Sequence, residues 1–278
     1  MTLLESLLLG IIQGLTEFIP VSSTAHLLIG QQLLGIPADS ATFSFLVIVQ
    51  VGTLVSLFVY YWQDLLKIVT DTLRFLPSLR QSRDTWNLTP DTLLGLYIII
   101  ATIPALLVGY FVRDWVEFLF RQPLLQAATR LFMAATLLAL AERFGRKNRS
   151  LDSMKWLDAL VVGLFQVLAV FPGSSRSGAT ISGGMFRGFD RPSAARFAFL
   201  MSVPVMLAAG AYEMLDVLKM PDLGEFLPLL AVGFVSAAIS GWFAIRWLIA
   251  FLSRGSLYVF SAYCATIGTL VLAVHFLS

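Results

Sequence analysis

The sequence predicts an all-α polytopic membrane protein: an inverted-topology repeat with six transmembrane helices and two re-entrant helical hairpins. Three observations carry that expectation. Of 278 residues, 58% are hydrophobic and 13% charged, with a mean hydropathy of +0.82, whereas soluble domains carry about 25% charged residues. Six apolar runs are long enough to cross a bilayer, which takes about 20 residues of helix. Two further apolar regions are each interrupted by a proline followed by hydroxyl residues, and the two interruptions are alike.

Taken in order, the first region, near 5–34, is apolar almost from Met1. It lacks a basic leader and carries Glu5 where a signal peptide would be positive, so it does not read as one. It breaks at Pro20-Val21-Ser22-Ser23. Proline removes a backbone donor and clashes with the preceding turn. Non-helical backbone at membrane depth persists only when buried in protein or lining a wet cavity. A re-entrant hairpin with its break aimed at a cavity is therefore expected; a kinked full span is the plainer alternative, since proline is common in membrane helices. A span follows near 43–63. The mixed-charge stretch from Asp64 to Asp91, with Pro77 and Pro90, reads as a surface loop with some amphipathic helix. Spans near 92–113 and 124–143 come next. The second broken region, near 157–185, is interrupted at Pro172-Gly173-Ser174-Ser175 and is expected to form a matching hairpin on the same cavity. Spans near 195–215, 226–250 and 257–277 complete the chain. Trp62, Trp115, Trp156 and Trp247 fall near span ends, as an aromatic belt would place them. The single cysteine, Cys264, excludes an intrachain disulfide and offers no metal-type spacing. Its expected role is that of a small buried hydrophobe.

Threaded this way, one side of the membrane collects fourteen Lys and Arg residues, from Lys67 to Arg254, and the other only Arg113, Arg121, Arg130 and Lys219. The richer side is cytoplasmic by the positive-inside rule. Both termini then face outward, the first hairpin entering from outside and the second from the cytoplasm. The halves also match. Gly10-Ile11-Ile12-Gln13 parallels Gly163-Leu164-Phe165-Gln166, Tyr60, Asp64 and Lys67 recur at the same spacing as Tyr212, Asp216 and Lys219, and Gly109 and Trp115 recur as Gly241 and Trp247. A single membrane domain over 1–278 is expected, with repeat one about 1–145 and repeat two about 155–278. Three spans per half turn the second repeat upside down, a transporter-like architecture that does not by itself separate transport from catalysis.

Chemistry concentrates at the two breaks. In Phe171-Pro172-Gly173-Ser174-Ser175-Arg176-Ser177-Gly178-Ala179-Thr180, Gly173 permits close backbone approach, and a helix starting after it would point free N–H groups and its positive dipole end at an anion. Arg176 adds a planar fork suited to phosphate oxygens, and Ser174, Ser175, Ser177 and Thr180 offer hydroxyls. Arg176 paired with an acidic neighbour for structure alone is the bland alternative. In Gln13 to His26, a carboxylate, two serines and an imidazole sit inside an apolar stretch, which marks a functional site by default. With a helix beginning near Ser22 or Ser23, Ser23 and His26 stand at i and i+3, and histidine is the usual base for a serine nucleophile. Glu17 is placed to bind a cation, orient His26 or act as acid/base, with Gln13 one turn before it on the same face. Ser22 joins the substrate-binding set. The bland readings are a serine N-cap and a satisfied core histidine. His275 reads as interfacial; Asp152, Asp158 and Glu213 read as boundary or packing charges.

The two segments resemble the signatures of the undecaprenyl-diphosphate phosphatase family, the integral-membrane bacitracin-resistance proteins. Those signatures are Glu/Gln-x-x-x-Glu running into Pro-x-Ser-Ser-x-x-His, and Pro-Gly-x-Ser-Arg-Ser-x-x-Thr. Here they read Gln13…Glu17…Pro20-Val21-Ser22-Ser23-Thr24-Ala25-His26 and Pro172-Gly173-Ser174-Ser175-Arg176-Ser177-Gly178-Ala179-Thr180. The first acidic position is Gln13, where some members carry Glu, so a cation site here has one carboxylate to draw on. The resemblance implies hydrolysis of undecaprenyl diphosphate to undecaprenyl phosphate and inorganic phosphate. That recycles the lipid carrier for peptidoglycan and confers bacitracin resistance. It also implies a divalent cation, Mg²⁺ or Ca²⁺, and a multi-pass protein of the bacterial inner membrane whose cleft opens to the outer face. The expected partners are a polyprenyl diphosphate lipid and the bilayer, with no nucleic acid; a homodimer is allowed for. Catalytic roles fall to Ser23, His26, Glu17 and Arg176, with Ser23, His26 or water as nucleophile. A polyprenyl-phosphate flippase or transporter using the same anion site is the alternative.

Overall fold

A computed structural model describes residues 1–80, 88–119, 123–170, 175–220 and 222–277. Every element among them is helical: α1 Leu3–Phe18, α2 Ser23–Leu33, α3 Ser40–Tyr60, α4 Trp62–Phe75, α5 Pro90–Leu119, α6 Pro123–Phe144, α7 Trp156–Val170, α8 Arg176–Phe186, α9 Arg191–Val217, α10 Leu223–Leu252 and α11 Tyr258–Leu277, with 3₁₀ turns at Leu76–Arg80 and Leu151–Ser153. Six of these carry apolar stretches of 20 to 30 residues, long enough to span, over Ser40–Tyr60, Pro90–Phe111, Pro123–Phe144, Arg191–Val217, Leu223–Leu252 and Tyr258–Leu277. They coincide with the six expected spans. The two broken regions appear as pairs of shorter helices, α1–α2 and α7–α8. The residues 171–174 between α7 and α8 lie outside the described residues.

Local chemistry sets the boundaries. The Thr2 hydroxyl and the Glu5 carboxylate cap α1 reciprocally. The helix stops when Ile19 turns extended ahead of Pro20. Asp39 and Asp190 accept the first-turn amides Thr42 N–H and Ser193 N–H, starting α3 and α9. The polar stretch after α3 begins as the amphipathic helix α4. Its Leu65, Ile68 and Phe75 are buried while Trp62, Leu66, Val69 and Leu73 are exposed, as suits a helix lying in the interface.

The short helices lean on the long ones. α1 packs along α10, and α7 packs along α5; α3 contacts both α9 and α10, α6 contacts α11, and α2 and α8 both pack on α6. Glycine permits the closest of these approaches. A Cβ on Gly10 would lie 2.4 Å from the Gly233 carbonyl oxygen, and one on Gly14 2.4 Å from that of Ala237. Gly163, the sequence counterpart of Gly10, makes the same approach to α5, where a Cβ would lie 2.5 Å from the Ala101 oxygen.

Buried carboxylates tie the helix ends together. Asp158 accepts from Arg149 Nη2 at 2.7 Å and Arg187 Nε at 2.7 Å, joining the loop before α7 to the end of α8. The Arg149 guanidinium is held above its ordinary pKa by this bond. Glu142 accepts from Arg191 Nε at 2.9 Å, Lys147 Nζ at 3.1 Å and the Leu257 amide at 3.1 Å, clamping α6, α9 and α11. Glu213 accepts from Ser44 Oγ at 2.5 Å between α9 and α3. Cys264 is buried, with its sulfur 3.9 Å from the Pro20 carbonyl oxygen.

Candidate active site

The break in the first hairpin aims its polar groups. Gln13 and Glu17, one turn apart on the buried face of α1, are 0% and 3% exposed. The chain then reverses through Ile19–Ser22. The Val21 amide donates to Ile19 O at 2.7 Å, and Ser22 sits in the left-handed region at φ 69°. That conformation is costly for a residue with a Cβ and marks a functional constraint. It brings Ser23, the first residue of α2, back over α1, where its Oγ donates to Glu17 Oε2 at 2.7 Å.

Glu17 is the hub. Besides Ser23, Oε2 accepts from Gln13 Nε2 at 2.6 Å, and Gln50 Nε2 on α3 reaches both carboxylate oxygens, at 3.2 and 3.4 Å. Arg176 Nη2 pairs with Oε1. Arg176 opens α8, whose N-cap Ser175 accepts from the Gly178 amide at 3.2 Å. Two helix N-termini, those of α2 and α8, therefore meet at one point, and both favour negative charge there.

These groups line a cavity of about 210 Å³. Its wall includes Ser22, Thr24, Leu27, Phe43, Leu46, Val47, Ser175 and Ser177, with Gln126 and Arg130 from α6. Several buried polar atoms in it have no partner among the described residues: Ser22 Oγ, Gln126 Nε2, Gln13 Oε1, and both Nε and Nη1 of Arg176. Buried polar groups are nearly always satisfied, so this set points to a ligand rich in acceptor oxygens. Among the described residues the set holds three nitrogen donors, one hydroxyl that can donate or accept, and one carbonyl acceptor, Gln13 Oε1.

The structure brings together Gln13, Glu17, Ser22, Ser23, Ser175, Arg176 and Ser177. Gly173 and Ser174 lie outside the described residues. Thr180 is not brought in: its hydroxyl donates to its own helix, at Arg176 O, 2.8 Å away. The expected Ser23–His26 pairing is also not the one formed. His26 Nδ1 lies 2.9 Å from Ser22 O and Nε2 2.8 Å from the Tyr263 hydroxyl, against α11. On a helix, residues i and i+3 point about 60° apart. Ser23 turns toward α1 and His26 toward α11. His275 stays on α11, near its C-terminal end.

Three cavity residues escaped the sequence reading. Gln50 lay unremarked in an apolar span, and Gln126 likewise. The charge count places Arg130 with the outer loop residues, yet it is 7% exposed, seven residues into α6. The missed signal was an ionisable side chain inside a 20-residue apolar run, paired at i, i+4 with an amide.

No cluster of three His, Cys, Asp or Glu forms among the described residues. Glu17 and the unpartnered Gln13 Oε1 still suit a cation of the kind that takes one carboxylate and draws its other ligands from substrate phosphates and water.

A family profile described as bacitracin resistance protein BacA matches residues 6–270. Proteins called undecaprenyl-diphosphatase are similar over nearly their whole length. The one from Alkaliphilus metalliredigens is 42% identical over 273 residues, covering 98% of each chain. The one from Rubrobacter xylanophilus is 41% identical over 272 residues, again covering 98% of each chain. The one from Moorella thermoacetica is 38% identical over 277 residues, covering 100% of this chain and 99% of its own.

Proposed function

The chain belongs to the bacitracin resistance protein family, and we propose from that premise that it is a membrane phosphatase. It hydrolyses undecaprenyl diphosphate to undecaprenyl phosphate and inorganic phosphate, returning the lipid carrier to envelope synthesis. The observation that carries this reading to individual residues is the triangle Ser23–Glu17–Arg176 in a buried cavity. A hydroxyl donates to a carboxylate, and that carboxylate holds one arm of a guanidinium whose Nε and Nη1 have no partner among the described residues. A site that only bound an anion has no use for the hydroxyl–carboxylate pair.

In the mechanism we favour, the Nε and Nη1 edge of Arg176, the Ser22 hydroxyl and the first-turn amides of α2 and α8 hold the terminal phosphate and stabilise the charge that builds on it. Ser23 Oγ attacks the terminal phosphorus and passes its proton to Glu17. The bond from that phosphorus to the bridging oxygen breaks, and its electron pair leaves with undecaprenyl phosphate. Glu17 gives up that proton to solvent and then deprotonates a water whose oxygen attacks the phosphorus; the bond to Ser23 Oγ breaks, Oγ takes the proton back from Glu17, and inorganic phosphate leaves. His26 positions the turn through the Ser22 carbonyl. A divalent cation, held by Glu17 and Gln13, would supply further charge neutralisation on the diphosphate. The cavity mouth faces the outer side of the membrane, and both termini lie on that side.

The test is phosphate release in detergent from a long-chain prenyl diphosphate, without any membrane gradient. Wild type should turn over, and Ser23→Ala and Arg176→Ala should each lose about two orders of magnitude in kcat/KM or more. Turnover by wild type with Ser23→Ala unchanged would remove Ser23 as nucleophile in favour of water. No release by wild type, with Mg²⁺ or Ca²⁺ supplied, would sink the phosphatase reading and leave a lipid transporter.

A further inference from the structure

Among the described residues lining the cavity, the ionisable side chains are two guanidiniums and one carboxylate. The mechanism above uses Glu17 and Arg176 and leaves Arg130 without a task. We infer that Arg130, with Gln126, binds the phosphate that stays on the lipid and neutralises the charge that develops there as the bridging bond breaks. The inference rests on the phosphatase reading.

Depth in the cavity assigns the two phosphates. Leu33 at the end of α2 and Leu124 at the start of α6 share an apolar groove, so those two helix ends lie on one side. The loop 34–39 joins that end of α2 to the start of α3. Going into the protein from that side, α3 brings first Phe43 and then Gln50 to the cavity, and α2, which runs the opposite way, has Leu27 nearer that side than Ser23. Gln50 bonds Glu17, which also holds Ser23 and Arg176, so these four form the polar floor. Phe43 and Gln50 are seven residues apart on α3, about 10 Å of rise. A prenyl diphosphate fits that gradient one way round: terminal phosphate on the floor, prenyl chain along the apolar wall, and the lipid-side phosphate between them. Gln126 and Arg130, one turn apart on α6, run along the same axis, with Gln126 nearer the apolar end.

The chemistry requires a positive donor at that point. When the terminal phosphorus is transferred, the electron pair of the broken bond goes to the bridging oxygen, and the leaving prenyl phosphate gains negative charge. A guanidinium fork spans two phosphate oxygens, and fixed charge aimed at a developing anion is worth most in a site shielded from water. The unpartnered Nε2 of Gln126 supplies a second donor to the same group.

Product inhibition separates the two phosphates. In Arg130→Ala, inhibition by prenyl monophosphate should weaken tenfold or more and kcat should fall about a hundredfold, while inhibition by inorganic phosphate stays within about twofold of wild type. Unchanged inhibition by prenyl monophosphate, or equal weakening of both, overturns the assignment. Thermal unfolding accompanies each variant. Should Arg130→Ala not fold, Gln126→Leu decides the matter, since it removes a buried unsatisfied amide. It should weaken prenyl monophosphate inhibition severalfold, and no change overturns the role of this pair. If wild type releases no phosphate, the phosphatase reading fails on its own account and direct binding decides the inference. Prenyl monophosphate should bind wild type at least tenfold tighter than Arg130→Ala, and equal binding refutes an anion site at Arg130.

Discussion

Ser23 and His26 are three residues apart and point to different neighbours, and that divergence assigns their roles. With Nδ1 facing the Ser22 carbonyl, the imidazole donates there and leaves Nε2 to accept from Tyr263. Both nitrogens are engaged away from the cavity, so the proposed mechanism has His26 act through the Ser22 turn. We expect His26→Ala to lose on the order of tenfold in kcat/KM, against a hundredfold or more for Ser23→Ala. Tyr263→Phe should cost a similar amount to His26→Ala, and the double variant should be no worse than either alone, because both remove one linked contact. If His26→Ala falls as far as Ser23→Ala and loses one limb of the pH–rate profile, the imidazole carries the proton after all. At this scale the sequence was legible where polar groups crowd around a proline break, as at Glu17, Ser23 and Arg176. It was not legible where one polar residue stands alone in an apolar helix. Arg130 and Gln50 are brought to the site by packing of α6 and α3, and nothing local in the sequence announces that.

At the scale of elements, α1 holds the hub of the site and rests on α10 through glycine. With Gly10 and Gly14 on the contact face, the backbones approach until a Cβ would lie 2.4 Å from a carbonyl oxygen. Glu17 follows Gly14 by less than one turn, so the height of α1 above α10 fixes where the carboxylate meets Ser23 and Arg176. Gly14→Val must push the helices apart. Overpacking of this kind costs about 1–3 kcal/mol, and a shift of the carboxylate should lower turnover tenfold or more even in the fraction that stays folded. Gly224→Ala is the control, since a Cβ there meets nothing within 4 Å; it should leave melting and turnover unchanged. A Gly14→Val protein that melts and turns over like wild type would mean that α1 is free to shift without consequence. The break after α1 was readable because proline and extended backbone go together. The partners of each helix were not, although the Gly10/Gly163 match held a hint: both glycines serve the same close approach, one to α10 and the other to α5.

At the scale of the whole molecule, composition and run length were enough to expect six spans, because every residue in hydrocarbon must be apolar or paired inside the protein. Orientation rests on weaker information, the balance of fourteen basic residues against four. Arg130 lines the cavity, so only three residues on the poorer side count toward that balance. Arg149, Arg187 and Arg191, on the richer side, are partly committed to Asp158 and Glu142, yet even paired they resist translocation as long as their helices are still being inserted. The proposed entry runs past Phe43 and the loop 34–39, so the side on which that loop lies decides from which face of the membrane the diphosphate head group enters. Cysteine labelling answers this directly. The native Cys264 is fully buried and gives a silent background. Ala38 and Arg254 are exposed residues in loops at the start of α3 and the end of α10. A membrane-impermeant maleimide should label Ala38→Cys in intact cells and reach Arg254→Cys only after permeabilisation. The reverse pattern would turn the molecule over, place the mouth of the cavity in the cytoplasm, and make its substrate a lipid supplied from inside the cell.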